Sequence, residues 1–177
     1  MAISSGKLLA LAPVAVFLPA VAQGAEIYHA SESWQVARNG AGCTASSTGV
    51  AEIGFGQLQI SYDADRNEVT LASEENVKTA IPSGASVRLS LVFLDNGTEQ
   101  HDDQWGARQF VHTATGGTHR FATSFLGERN TRQILGDLAS SRRLGLLENG
   151  EVIFDHDLAG LRAAIVQLRE CAAQPRS

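Results

Sequence analysis

The sequence lacks an excess of positive charge. Its 177 residues carry 14 lysines and arginines against 19 aspartates and glutamates, so the formal net charge is −5. The nearest approach to a basic cluster, Arg129, Arg132, Arg142 and Arg143, is explained by charges that flank a helix. An acidic chain without a basic patch is a poor electrostatic partner for nucleic acid or for an anionic membrane surface. We therefore expect no nucleic-acid ligand.

The local signatures of several enzyme classes are also missing. The sequence has no G-x-S-x-G turn for a nucleophilic serine and no H-E-x-x-H helix for a catalytic zinc ion. Gly54-Phe55-Gly56 is too short to be a phosphate-binding loop. A serine–histidine–aspartate site would have to be assembled without a recognisable motif around its serine. We therefore predict no catalytic residue and no cofactor.

The one long apolar run lies at the start of the chain and is too short to cross a membrane. Leu8–Val21 follows Lys7, is interrupted by two prolines, and leads into an A-x-A cleavage pattern at Ala20-Val21-Ala22. This combination is typical of a secretory signal peptide. The predicted organisation is a signal peptide over residues 1–22 and a single exported domain, periplasmic or secreted, over 23–177. We expect no membrane span in the mature chain.

Cysteine is scarce, with only Cys43 and Cys171 in the chain. Export would place both in an oxidising compartment, where a pair of cysteines favours a disulfide. A redox pair or metal thiolates are the alternative, but such cysteines usually lie close together, as in C-x-x-C. These two are separated by most of the mature chain. A structural disulfide is therefore the favoured interpretation, with a loop-entropy contribution of about 5 kcal/mol.

The last third of the chain has the clearest helical pattern. Ile134, Leu135 and Leu138 form an apolar stripe, which predicts a helix beginning near Asn130 or Thr131 with one of these residues as its cap. A second helix is predicted to begin near Ala159 or Gly160. The apolar face of that second helix consists of Leu161, Ala164, Ile165, Leu168 and Cys171.

Strand patterns occupy the middle of the chain and the interval between the two helices. Asn149-Gly150 separates two apolar runs and is the strongest short-range signal for a β-hairpin. The other predicted strands centre on Trp34–Val36, Leu58–Tyr62, Val69–Leu71, Val87–Leu94, Phe110–His112 and Phe121–Phe125. The sum is an α+β fold: a mainly antiparallel sheet of six to eight strands, formed by hairpins, with two late helices packed on it.

Four side chains could form a metal site. His101, Asp103, His112 and His119 lie within about 20 residues, and imidazole and carboxylate groups are ligands of zinc and other divalent ions. His112 and His119 lie on the two strands of one predicted hairpin and could converge. The simpler interpretation is a solvated acidic loop at 101–103 and two half-exposed strand histidines.

Two further residues have a functional and a structural interpretation. His156 lies between Asp155 and Asp157, which would raise its pKa and make it sensitive to pH, whereas structurally it would face water next to a helix cap. Trp105 could contact a carbohydrate or protein partner, or it could be a core tryptophan of an edge strand.

Three motifs together resemble a group of small exported bacterial proteins. They are Trp34-Gln35-Val36 followed by Cys43, Arg143-Leu144-Gly145-Leu146 followed by Val152-Ile153-Phe154, and Asp157-Leu158-Ala159-Gly160-Leu161 opening a helix that reaches Cys171. The pattern resembles the invasion-associated locus B proteins and the periplasmic accessory proteins of type VI secretion. The resemblance covers the ends of the mature chain. It implies an exported envelope protein without an assigned reaction, linked to host contact or secretion.

These observations favour a non-enzymatic interaction or accessory protein of the bacterial envelope. Its partner would be a protein or another envelope component that the sequence does not identify. The alternative is a secreted metal-dependent hydrolase that uses the histidines and aspartate at 101–119.

Overall fold

The computed structural model describes residues 26–39, 42–48, 56–75, 80–95, 98–100 and 105–174. The predicted signal peptide at 1–22 lies outside these ranges. The described residues form eleven β-strands and two α-helices. In chain order they are β1 Glu26–Ala30, β2 Trp34–Asn39, β3 Gly42–Ser47, β4 Gly56–Asp63, β5 Glu68–Glu75, β6 Ser86–Asp95, β7 Thr98–Gln100, β8 Ala107–Thr115, β9 Thr118–Leu126, α1 Glu128–Ser140, β10 Arg143–Glu148, β11 Glu151–Asp157 and α2 Leu161–Ala173.

Antiparallel ladders join all eleven strands into one sheet. The order is β1-β2-β3-β4-β5-β9-β8-β6-β10-β11, and β7 pairs with the far end of β6. The sheet is open, since no ladder between described strands joins β11 to β1. The predicted α+β class is confirmed, but six to eight strands was too few. The missed strands are β1, β3 and β7, which are short or rich in small polar residues and so lack the apolar alternation of the others.

Turn chemistry sets the register of two predicted hairpins. Between β4 and β5, Oδ1 of Asp63 accepts the N–H groups of Asp65 and Arg66 at 3.0 and 3.1 Å. Between β10 and β11, Asn149 and Gly150 have φ values of 52° and 87°, as a two-residue hairpin turn requires. Both hairpins are confirmed.

The helices begin at residues other than the predicted caps. Helix α1 starts at Glu128, after Gly127, and has no side-chain cap. Asn130 donates to the carbonyl of Leu126, and the Thr131 hydroxyl donates to the carbonyl of Asn67. The two side chains therefore bind carbonyls of β9 and of the turn between β4 and β5, and neither accepts an N–H of the helix. Helix α2 begins one residue after the predicted Gly160.

Both helices pack on one face of the sheet, here called the inner face. Helix α2 contacts β1 to β4, and α1 contacts β5, β9 and α2. The outer face instead carries hydroxyl pairs across neighbouring strands, such as Thr44 with Ser61 and Thr70 with Ser124. The fully buried side chains of the inner core include Trp34, Leu58, Ile60, Leu71, Leu89, Phe110, Phe125, Ile134, Leu138, Leu144, Leu146 and Leu168.

A disulfide joins Cys43 of β3 to Cys171 of α2, and both residues are fully buried. This confirms the predicted pairing. Two hydrogen bonds reinforce the same junction: Arg38 donates to the carbonyl of Cys171 at 2.5 Å, and Nε1 of Trp34 donates to the carbonyl of Ala159 at 2.8 Å. The first strands and the last helix are therefore tied together by one covalent and two polar contacts.

The sheet curls so that its last strand faces a strand far away in the sheet order. Oγ of Ser73 on β5 lies 2.8 Å from Nε2 of His156 on β11, although four strands separate β5 from β11 in the ladder. Strand β11 also approaches β4. Side chains from both ends of the curl therefore meet over the inner face.

Candidate functional site

Five polar side chains lie on the inner face, away from the helices. They are Ser73, Glu75, His112, His119 and His156, here called the polar cluster. Alternation along β5 places Ser73 and Glu75 on the same face as Leu71, and the ladder sets Glu75 opposite His119. Four of the five are buried and His119 is half-buried. Because buried polar groups need partners, their contacts decide what the cluster can do.

The two histidines of the β8–β9 hairpin touch. Nε2 of His112 lies 2.9 Å from Nδ1 of His119, and Nδ1 of His112 lies 3.0 Å from the carbonyl oxygen of Pro82. A carbonyl only accepts, so Nδ1 of His112 carries a proton. In the neutral pair, Nε2 of His112 must then accept the proton of Nδ1 of His119. This assignment leaves Nε2 of His119 as an unprotonated nitrogen.

The ring of His112 is held from the side as well. Its centroid lies 4.7 Å from that of Phe121, at an interplanar angle of 27°. Phe121 in turn packs against Phe154 of β11 at 5.2 Å. His112 is therefore fixed by one hydrogen bond to the Pro82 carbonyl, one to His119, and an aromatic neighbour.

His156 differs from both sequence interpretations. It is buried rather than facing water, and burial lowers its pKa to about 4, with only a partial opposing effect from the charge of Asp155. The predicted rise in pKa is therefore wrong, because loss of hydration outweighs the neighbouring carboxylate. The side chain of Asp157 accepts the N–H of Ala159, in the turn that precedes α2. Neutral His156 shares a hydrogen bond with Ser73 and so links β11 to β5.

Glu75 is the second strongly perturbed group. Burial raises its pKa to about 7, and no counter-charge in the described part of the chain offsets that effect. The carboxyl lies over Gly56 of β4, where an added Cβ would come within 2.8 Å of Oε1. Gly56 thus makes room for a carboxyl group that is protonated for a large share of the time near neutral pH.

Trp105 lies in the core. Its side chain is buried, Nε1 donates to Oδ2 of Asp137 at 2.8 Å, and its ring meets the edge of Phe125 at 4.9 Å. The guanidinium of Arg108 lies over the Phe125 ring at 4.4 Å, and burial lowers its pKa. Trp105 is a core residue, but it lies in the bend before β8, which is paired on both sides, and therefore not on an edge strand as the structural interpretation had it. The contact between this indole and a partner stays a prediction.

The structure brings together half of the predicted metal ligands. His112 and His119 are in contact, whereas His101 and Asp103 lie outside the described residues. Among those that are described, no group of three or more His, Cys, Asp or Glu side chains could hold a metal ion. The sequence analysis missed Ser73 and Glu75, although both continue the inward alternation of Val69 and Leu71 along β5 and could have been found from it.

Strand β11, at one edge of the sheet, offers a different kind of site. Among the described strands β11 pairs with β10 alone, and Val152 and Ile153 are 60% and 37% exposed. The ladder shifts register between Leu146 and Leu147, next to these two residues. We call residues 151–154 the β11 edge. It combines the last strand in the sheet order with exposed apolar side chains, the two features that strand-adding partners use.

Comparison of the chain with protein-family models, curated proteins and solved structures found no match. Within the described ranges, neither helix has the length and apolar character needed to cross a membrane.

Proposed function

We propose that this chain is an exported, non-enzymatic interaction protein of the bacterial envelope, periplasmic or secreted, that binds a protein partner through the β11 edge. The signal-peptide pattern and the resemblance to exported envelope proteins support export. The buried disulfide fits the same compartment, because such bonds persist where the environment is oxidising. The observation that carries the binding role is the exposed apolar edge strand.

Strand addition is the binding mode that suits this edge. A partner segment in extended conformation would pair with the backbone of β11, and its side chains would pack against Val152 and Ile153. Exposed apolar side chains on an edge strand favour aggregation, and a bound partner would cover them.

The charge of β11 defines the partner's chemistry. Glu151 and Asp157 are exposed, and Asp155 is paired with Arg143 of β10. A second copy of β11 would bring carboxylates against carboxylates, which disfavours self-association through this edge. The partner segment is therefore extended, apolar and basic.

The polar cluster fits a structural role better than hydrolysis. Ser73 is fully buried, so its hydroxyl does not meet a substrate. In a nucleophilic triad Nδ1 of the histidine donates its proton to a carboxylate, and no such contact of His156 is found among the described residues. A Ser73–His156 pair of this kind holds two strands together.

Site-specific photo-crosslinking tests the proposed binding surface. A photoreactive amino acid at position 152 of the full chain, expressed in its own host, should give one crosslinked product, and the attached peptide should be apolar and basic. The matched control is position 111 on β8, a valine that is 48% exposed but belongs to a strand paired on both sides. Equal products at 111 and 152, or none at 152, would refute binding at the β11 edge.

One observation favours a second candidate, the secreted metal-dependent hydrolase. It is the contact between His112 and His119, two of its four proposed ligands. Zinc-dependent hydrolysis of ester or peptide substrates that disappears in His119→Ala would establish it. The absence of such activity at saturating zinc would remove it.

A further inference from the structure

We propose that His112 and His119 bind one divalent transition-metal ion between Nε2 of His112 and Nδ1 of His119. The inference goes beyond the proposed function, since it assigns a ligand without assigning a reaction. It rests on three features of the pair: the facing nitrogens, the contacts that orient His112, and the accessibility of His119.

The separation of the facing nitrogens is close to the one that a small ion needs. They lie 2.9 Å apart with one shared proton between them. Two imidazole nitrogens bound to one tetrahedral zinc ion, each about 2.0–2.1 Å from the metal, lie about 3.3 Å apart. Replacing the proton by a metal ion therefore requires the nitrogens to separate by about 0.4 Å and the rings to turn by about 35° each, because a tetrahedral ion lies off the line that joins the two nitrogens. The movement falls to His119, which is half-buried next to the hairpin turn, because His112 is held by Pro82 and Phe121.

The orientation of His112 is typical of a metal ligand. Metal-binding histidines commonly donate the other ring N–H to a backbone carbonyl or carboxylate, which fixes the tautomer. Here Nδ1 of His112 donates to Pro82, and Phe121 packs against the ring. The nitrogen that would bind the metal, Nε2, is thus already the unprotonated one.

Proton accounting shows what must change on binding. His112 keeps its Nδ1 proton, which it donates to the carbonyl oxygen of Pro82. His119 must give up its Nδ1 proton to the solvent and take one at Nε2, so the neutral pair binds the ion with no net release of protons. The remaining coordination positions are left to water or an external ligand, because the pair supplies two protein nitrogens only.

The ligand type selects the ion. Imidazole nitrogens suit Cu²⁺, Zn²⁺ and Ni²⁺, and affinity rises toward Cu²⁺ along the first transition series. Glu75 is the ladder partner of His119, but its carboxyl lies over Gly56 on the other side of β5. It is not counted among the ligands.

Copper titration of the untagged protein tests the site. Calorimetry with Cu²⁺ should show one ion per chain, with binding at least tenfold weaker in His119→Gln. His29→Gln, which changes a half-buried histidine on the edge strand β1, is the matched control and should stay within twofold of the wild type. His119 is used because His112 is fully buried and its replacement could unfold the protein. Equal copper affinity of the wild type and His119→Gln would overturn the proposal.

A second readout separates metal binding from an effect on folding. Nitrogen NMR of the histidine rings should show His119 protonated at Nδ1 in the metal-free protein and at Nε2 with saturating Zn²⁺. His112 should stay protonated at Nδ1 in both states. If His119 keeps its Nδ1 proton at saturating zinc, the ion binds elsewhere and the proposal fails.

Discussion

The inner face of the sheet has two regions of opposite chemistry. Where α1 and α2 cover it, side chains such as Ile60, Leu138 and Leu168 are apolar and fully buried, and a disulfide joins helix to strand. Where the curl of the sheet covers it, the polar cluster is almost as deeply buried. Apolar burial stabilises a fold, whereas a buried carboxyl and a buried imidazole cost stability unless they are compensated. The helix-covered region therefore specifies the fold, and the polar cluster is retained at a cost in stability.

Loss of the disulfide should be the largest effect and should fall on the helix-covered region. Replacing Cys43 and Cys171 together with serine removes a cross-link over most of the chain, which the loop-entropy model values at about 5 kcal/mol. The midpoint of thermal unfolding should fall by roughly 10 °C or more. Calorimetry of the two proteins checks this. An unchanged melting curve would show that the bridge does not stabilise this region.

Glu75 should make the polar cluster less stable at high pH. The pKa of Glu75 rises from 4.5 to about 7 on folding, because the ionised carboxylate is less stable when buried. The resulting loss of folding stability is absent below about pH 4.5, grows as pH rises, and is complete above about pH 7. Relative to Glu75→Gln, the wild type should lose up to about 3 kcal/mol between pH 4.5 and 8. Urea unfolding at both pH values measures the difference. Glu74→Gln, a half-buried neighbour paired with Arg120, should not change this dependence.

His156 should make the protein less stable at low pH, the opposite of the effect of Glu75. The pKa of His156 falls from 6.5 to about 4 on folding, because the charged imidazolium is less stable when buried. The resulting loss of folding stability is absent above about pH 6.5, grows as pH falls, and is complete below about pH 4. The wild type should lose up to about 3 kcal/mol over that interval relative to His156→Gln. The same unfolding series checks it, with His29→Gln as the control. Parallel pH profiles of wild type and His156→Gln would mean that His156 is solvated.

The smallest effect concerns the space around Glu75. In Gly56→Ala the new methyl would lie 2.8 Å from Oε1 and 3.0 Å from Cγ of Glu75, which should cost about 1 kcal/mol because the carboxyl can partly turn away. Gly136→Ala, on an open site in α1, should instead stabilise by up to about 1 kcal/mol. The destabilisation caused by Gly56→Ala should be smaller in a protein that also carries Glu75→Ala. Equal effects at the two glycines would show that the carboxyl does not lie over Gly56.

The sequence predicted the helix-covered region well because its signals are local. Helical periodicity around Leu138 and Leu168 and the Asn149-Gly150 turn each identify an element from a few neighbouring residues, and the single cysteine pair leaves one possible bridge. The polar cluster depends on the curl of the sheet, which no local pattern encodes. His156 meets Ser73 across four intervening strands, so its burial and the direction of its pKa shift could not be predicted from Asp155 and Asp157 alone.

The most direct test of export and disulfide formation is the intact mass of the protein recovered from the envelope fraction of its host under non-reducing conditions. We predict a chain of residues 23–177 that is two hydrogens lighter than its fully reduced sequence. An unprocessed chain in the cytoplasm with two free thiols would contradict both export and the disulfide that joins the helix-covered region.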